Sequence, residues 1–227
     1  MREYSCFDIL GPIMIGPSSS HTAGAARLGK IAAIIAGENS FRSVKFYLHG
    51  SFAKTYKGHG TDKALVAGVL GLNPWDSRLK DSFKIARERG IEFEFIEKDL
   101  GDEHPNTVKF IFIEKNGNNV EVMGSSVGGG NIKITEIDGQ KIEFTGNYPT
   151  LIIRHKDTPG MISKVSTIIY EAGINIAFLK VYRKDRGYSA VMVFETDSII
   201  PVEINKRIKE LGNIESIRFI NPIVEGE

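Results

Sequence analysis

Two short segments concentrate the groups able to do chemistry. Gly16-Pro17-Ser18-Ser19-Ser20-His21-Thr22 sets hydroxyls beside an imidazole where the residue pattern starts a helix. Free backbone N–H groups and the positive end of the helix dipole meet at such a start, which suits a carboxylate or phosphate. Capping is the plainer use, but a cap needs one serine and three are present. Lys57-Gly58-His59-Gly60-Thr61-Asp62 repeats the theme before a second helix. Glycines on both sides of His59 strip its steric cover, and an imidazole of unperturbed pKa about 6.5 suits a general base. The same pattern equally suits a histidine that decorates a flexible glycine turn. His49, before Gly50-Ser51 at a strand end, reads as a satisfied structural residue. His104-Pro105-Asn106-Thr107 either converges on the same site or forms a simple turn.

These segments need elements to hold them. Ser18 to about Ala36 reads as a helix with Leu28, Ile31 and Ile35 on one face and Gly37 as its stop. Val44 to Leu48 reads as a buried strand; a second helix runs from Thr61 to Gly71, and a third from about Ser77 to Arg89 with Gly90 after it. Two hairpins follow, turning at Asn116-Gly117 and Asp138-Gly139. Gly128-Gly129-Gly130 between them has too little side chain for a core and marks either a sharp bend or a place where something approaches the backbone. Gly146-Asn147-Tyr148-Pro149 breaks the pattern, so the expected domains are 1–147 and 148–227. The second domain reads strand, helix, strand, strand, helix, strand, the ferredoxin-like βαββαβ plait. In it Thr158 is expected to cap a helix with Pro159 in its first position. That helix presents Met161, Ile162, Val165, Ile168, Ile169 and Ala172 as its apolar stripe. The fold class is therefore α/β (α+β).

Bulk properties exclude several classes. Lys and Arg number 29 against 28 Asp and Glu, a formal net charge of +1, so neither nucleic acid nor an anionic membrane is an expected partner. Met1 to Gly16 carries Glu3 and Asp8 and no long apolar run, so no signal peptide is expected. The single cysteine, Cys6, forbids an internal disulfide and fits a cytoplasmic setting. The five histidines lack the paired spacings of a zinc site, so no metal is assigned to this chain's own ligands. Neither a phosphate-binding P-loop nor a dinucleotide fingerprint occurs, and the glycine-rich run 127–131 opens no helix.

Five segments together resemble the L-serine dehydratase family that uses a [4Fe–4S] cluster: Gly16 to Gly24, Gly50-Ser51, Gly58 to Lys63, His104 to Thr107 and Ser126 to Gly130. They stand in the family's order and cover nearly all of the first domain. The family divides into single chains and α/β pairs; this sequence lacks the cysteine-bearing catalytic half and so resembles the β member. One cysteine cannot hold a cluster that takes about four such ligands, so the resemblance places the [4Fe–4S] cluster on a partner α subunit. It also implies a first domain of the allosteric-substrate-binding type, similar to one in some phosphoglycerate dehydrogenases.

The implied reaction turns L-serine into pyruvate and ammonia, with His59 as the expected base. Ser18, Ser19, Ser20, His21, Thr22, Ser51, Gly60, Thr61 and Asp62 are expected to hold the substrate, with Thr61 and Asp62 orienting the base or the amino group. From Thr150 to about Phe219 the chain resembles an ACT domain, on Asp157-Thr158-Pro159-Gly160-Met161 and Gly173-Ile174-Asn175-Ile176. The resemblance implies that Asp157 to Met161, with Asn175 and Ile176 near that end of the adjacent strand, bind a small amino acid such as serine across a homodimer interface. Assembly alone is the plainer role. A free-standing amino-acid sensor without catalysis is the rival reading of the whole chain.

Overall fold

Ser18 caps the first helix as its sequence suggests: its Oγ accepts the backbone N–H of His21 at 3.2 Å. Ser19–Gly24 winds as one π-helical turn and passes without a break into helix α1, Ala25–Ala36, which Gly37 ends with φ 88°. This computed structural model describes residues 13–38, 40–183 and 187–223; Cys6 lies outside them. Among these residues no helix is long and apolar enough to cross a membrane. The chain divides into two units between Gly139 and Gln140.

In the first unit, strand β1 (Phe41–Leu48) leads into the short helix α2 (Gly50–Thr55) and then α3 (Thr61–Val69). A 3-10 turn at Ser77–Asp81 and α4 (Ser82–Glu88) bring the chain to β2 (Glu92–Glu97), parallel to β1. A parallel pair requires such a crossover. Strands β3 (Thr107–Glu114), β4 (Asn119–Gly128) and β5 (Asn131–Ile137) then meander antiparallel, giving the order β2-β1-β3-β4-β5. Helix α2 and strand β2 are additions to the sequence reading. One face is apolar: Phe46, Phe110, Phe112 and Ile134 are buried, as are Leu28, Ile31 and Leu65 of the helices, and the Phe110 ring meets those of Phe46 and Phe112. The other is charged: Lys109 Nζ lies 2.7 Å from Glu121 and 3.3 Å from Glu136. This inside–outside alternation is what a half-buried sheet requires.

Helices α1 and α3 cross on glycine. A Cβ at Gly29 would stand 2.4 Å from Leu65 O, and one at Gly68 would stand 2.1 Å from Ala26 O. The two backbones therefore touch, which fixes how the two helix starts lie beside each other.

The second unit begins with β6 (Gln140–Phe144) and continues as β7 (Thr150–Lys156), α5 (Met161–Glu171), β8 (Ile176–Arg183), β9 (Ser189–Thr196), α6 (Glu203–Glu210) and β10 (Ile214–Ile220). Its antiparallel sheet has the order β10-β7-β9-β8, the βαββαβ plait expected. Leu151, Ile153, Met192 and Phe194 meet Val165, Ile169, Ile204 and Ile208 in its core. β6 and the residue after it tie onto strands of the same unit: Lys180 Nζ donates to Glu143 of β6 at 3.0 Å, and Thr145 Oγ1 to Glu195 at 3.3 Å.

The start of α5 corrects the expectation for Thr158 and Pro159. The helix begins at Met161 after Gly160, whose φ of 87° makes a left-handed turn with no side-chain cap. Thr158 Oγ1 instead donates to Lys156 O at 3.4 Å. The tight glycine turn delays the helix beyond both residues. Ile162 is 45 % exposed and Ala172 is also exposed, so neither belongs to the buried stripe.

Candidate active site

His21 is the hub of the first unit's site. Its Nδ1 lies 3.2 Å from Ser20 Oγ and 3.4 Å from Ser18 Oγ, and its Nε2 lies 3.2 Å from Ser51 Oγ. Hydroxyls both donate and accept, so this set satisfies either neutral tautomer of the ring. The His59 ring stands perpendicular to the His21 ring with centroids 4.8 Å apart. Burial and the neighbouring His59 lower the His21 pKa below its usual value, so the ring resists protonation. His59 itself is exposed at the rim. The two helix starts singled out in the sequence are thus joined through their imidazoles, with Ser51 as a third member.

The remaining residues fall around this hub. Ser19 opens the π turn and is half-buried. Gly60, φ 69°, precedes α3, and a Cβ there would meet nothing within 4 Å. Asp62 turns its carboxylate to the Lys63 N–H at 2.8 Å, and burial raises its pKa. Thr22 and Thr61 are 2 % and 0 % exposed, yet neither hydroxyl has a protein partner. Asn106 Oδ1 and Ser126 Oγ share that condition. Six such buried atoms occur among the described residues, and these four all lie in the motif segments or beside them. Buried polar atoms are normally satisfied, so these four atoms of the motif segments keep unused hydrogen-bonding capacity.

His49 and His104 have structural duties. His49 Nδ1 accepts the Leu100 N–H at 3.1 Å, and His104 Nδ1 accepts the Asn106 N–H at 3.1 Å. The turn after His104 joins the site through its backbone: Pro105 O accepts from Ser51 N at 2.7 Å, and Asn106 O accepts from Ser126 N at 3.0 Å. Ser126 in turn packs against Gly24, where a Cβ would lie 2.0 Å from its Oγ. Asn106 and Ser126 stand in segments the sequence pointed to without a role of their own, while Phe52 is a residue beside the site that sequence reasoning did not single out. The glycine at 24 was the available signal, since a side chain there is excluded.

In the second unit, Asp157 accepts from Gly187 N at 3.1 Å and from Arg183 Nη1 at 3.3 Å. The Gly187 N–H, with the Arg183 guanidinium, holds its carboxyl below the usual range. Asn175 Nδ2 donates to Asp197 Oδ2 at 2.6 Å, and Ile176 opens β8. Asn175 does not stand near the Asp157 end, which corrects the expectation. Lys156 pairs with Ser189 of β9, whereas Ile176 pairs with Thr196. The two groups therefore sit at opposite ends of the sheet, because α5 returns the chain to the starting end before β8 begins.

Comparison with known proteins agrees with both halves. The serine dehydratase beta chain family matches residues 5–89, and the ACT domain family matches residues 149–213. The L-serine dehydratase, beta chain, of Peptoniphilus asaccharolyticus is 41% identical over 97% of this chain and 99% of its own length. The probable L-serine dehydratase, beta chain, of Bacillus subtilis (strain 168) is 44% identical over the same shares. A D-3-phosphoglycerate dehydrogenase of Methanocaldococcus jannaschii is 30% identical over 81% of this chain but only 34% of that protein. Likeness of this extent to two full-length beta chains settles the assignment: the chain belongs to the L-serine dehydratase beta-chain family.

Proposed function

We propose that this chain is the β subunit of an L-serine dehydratase, working with a cluster-bearing α subunit to convert L-serine into pyruvate and ammonia. The observation that carries this reading is the joining of His21 and His59 beside a serine-rich helix start. Residues 1–147 form the substrate-site domain and 148–227 the regulatory domain in this view, and the complex works in the cytoplasm. The cofactor assigned to the complex is a [4Fe–4S] cluster on the α subunit. Among the described residues there is no cysteine, and no group of three or more His, Cys, Asp or Glu able to hold a metal. This donor set does not fit a thiolate-ligated cluster, so the steps assigned to this chain involve its own residues alone.

Two obstacles face the reaction: a weakly acidic Cα–H and a poor leaving group. This chain answers the first. Ser18, Ser19, Ser20, Thr22 and Ser51 hold the serine carboxylate and amino group at the helix start, with Gly60, Thr61 and Asp62 closing the other side. The exposed His59 takes the Cα proton as the hydroxide departs, and His21 stays neutral beneath it. Aminoacrylate and water result; tautomerisation to the imine and hydrolysis then yield pyruvate and ammonia. Assistance to the departing hydroxide is left to the partner chain.

The second domain binds a small amino acid, probed first with serine, between two copies of itself. Asp157, Thr158, Pro159, Gly160 and Met161 would supply one side, and Asn175 and Ile176 of the other copy the second. Two observations support this. Strand β8 is an edge strand with Phe178 50 %, Leu179 38 % and Val181 42 % exposed, ready for pairing. The second is that β8 starts at the Asn175 end and finishes at the Asp157 end, so antiparallel pairing of two β8 edges would bring the Asn175 end of one copy to the Asp157 end of the other.

The test is anaerobic mixing of this chain with its α subunit. Serine-dependent pyruvate from the mixture, with none from either chain alone, is expected. Activity of this chain alone, or an inactive but correctly loaded complex, overturns the reading. Saturable serine binding with no partner-dependent turnover would favour the free-standing sensor instead.

A further inference from the structure

We infer that Phe52 is a positioning residue for the reaction, setting the His21 imidazole on which His59 rests; this depends on the reading of His59 as the base. Phe52 is 0 % exposed, and its ring meets His21 edge-on, with centroids 5.3 Å apart and planes inclined by 66°. His21 is therefore held from three directions. Ser18 and Ser20 reach Nδ1, Ser51 reaches Nε2, and Phe52 supports the ring itself. Hydroxyl contacts alone leave an imidazole free to tilt, since hydroxyls follow the ring by rotation. A packed aromatic partner with a preferred geometry does not follow.

Phe52 is in turn fixed by backbone. It lies in the six-residue helix α2, too short to hold its own orientation. Pro105 O accepts from both Ser51 N at 2.7 Å and Phe52 N at 3.3 Å, binding the helix start to the turn after His104. Gly50 makes that contact possible: its φ is 56°, and a Cβ would strike Pro105 Cα at 2.7 Å. The chain of support thus runs from Pro105 through Ser51 and Phe52 to His21, and then to His59. This gives the Gly50-Ser51 and His104 to Thr107 segments a shared purpose that needs no contact between the latter and substrate.

The test uses Phe52→Leu and, in case that variant fails to fold, Phe52→Met, whose flexible apolar side chain adapts to the space while losing the ring. In the α/β complex kcat is expected to fall by about tenfold to 10²-fold, the scale of a roughly 1 Å misplacement. KM for serine should stay within about threefold, since the hydroxyls that bind it remain. In parallel, ¹⁵N imidazole spectra of the full-length chain alone should show His21 changing its tautomer balance and titrating nearer its unperturbed value. Both changes are required. Normal kcat in a folded variant overturns the inference, and so does lost kcat with unaltered His21 signals, which marks a merely structural role. His59→Ala, measured alongside, separates the two claims: normal turnover there sinks the base assignment, while the spectra still report on the ring's support.

Discussion

Gly68→Ala tests whether the glycine crossing of α1 and α3 builds the site. Alanine is ordinarily the better residue inside a helix, by roughly 0.5–1 kcal/mol over glycine. If nothing opposed it, the variant would be more stable than the parent. The structure opposes it. The new Cβ would lie 2.1 Å from Ala26 O and 2.8 Å from Lys30 N, both backbone atoms that cannot rotate away. Carbon–oxygen contacts settle at about 3.3 Å, so the helices must separate by about 1 Å. Overpacking of this kind costs roughly 1–3 kcal/mol, leaving about 1 kcal/mol of net destabilisation after the helix-propensity gain. The same opening moves the start of α3 relative to the start of α1, and with it His59 relative to His21. A shift near 1 Å costs up to about 10²-fold in turnover. Urea unfolding of the chain and pyruvate formation by the α/β complex measure the two effects. Gly29→Ala carries a similar clash, 2.4 Å from Leu65 O, and the double variant should cost less than the sum because the helices have already parted. A Gly68→Ala chain more stable than the parent, with unchanged turnover, would refute the reasoning.

Other outcomes follow from the same geometry. His59→Ala should lower kcat by about 10²–10⁴, read as initial pyruvate rate at saturating serine; an unchanged rate removes His59 as base. Ser20→Ala should chiefly raise KM if its hydroxyl holds ground-state substrate, as proposed; a loss confined to kcat would place it in the transition state instead. His21, with its pKa lowered by burial and then by His59, stays neutral in the fold at pH values where the unfolded chain takes up a proton. The unfolded state binds more protons in the window just below about 6.5, so stability should rise with pH there. His21→Gln should flatten that rise in melting temperature, and an unchanged slope would assign it to another group. Asn175→Ala should weaken calorimetric serine binding to the full chain; parent-like affinity would show that Asn175 makes no ligand contact.

Why some of this was legible in the sequence, and some was not, has a physical explanation. Helix starts announce themselves locally: Ser18 caps His21 N–H, and Gly37 and Gly71 stop their helices with positive φ. Turns do the same, with Asp138 and Gly139 at φ 50° and 75° as an Asp-Gly hairpin turn demands. Pro159 misled because proline is as much at home in a turn before a helix as in its first position, and Gly160 decided between them. Strand β2 alternates Phe93 and Phe95 with glutamates, a readable period of two. Helix α2 has no such signal, since six residues cannot display a helical period. That gap hid Phe52.

The pairing of His21 with His59 lies at a different level. The two residues are 38 positions apart in the sequence, and no local pattern joins them. What joins them is the approach of two helices at Gly29 and Gly68, residues that a helical reading treats as weaknesses. A glycine inside a helix costs stability unless another backbone fills its place, and here each glycine receives a backbone atom of the opposite helix. The same argument covers Gly24 against Ser126 and Gly50 against Pro105. Gly24 and Gly50 each mark a point where two motif segments touch, and Gly29 and Gly68 mark where the helices that follow two of them touch. Gly24 and Gly50 are therefore informative chiefly about contact, whereas Gly60 faces open space: the crowded glycines show which segments must meet, and the hydroxyls and imidazoles between them show what the meeting is for.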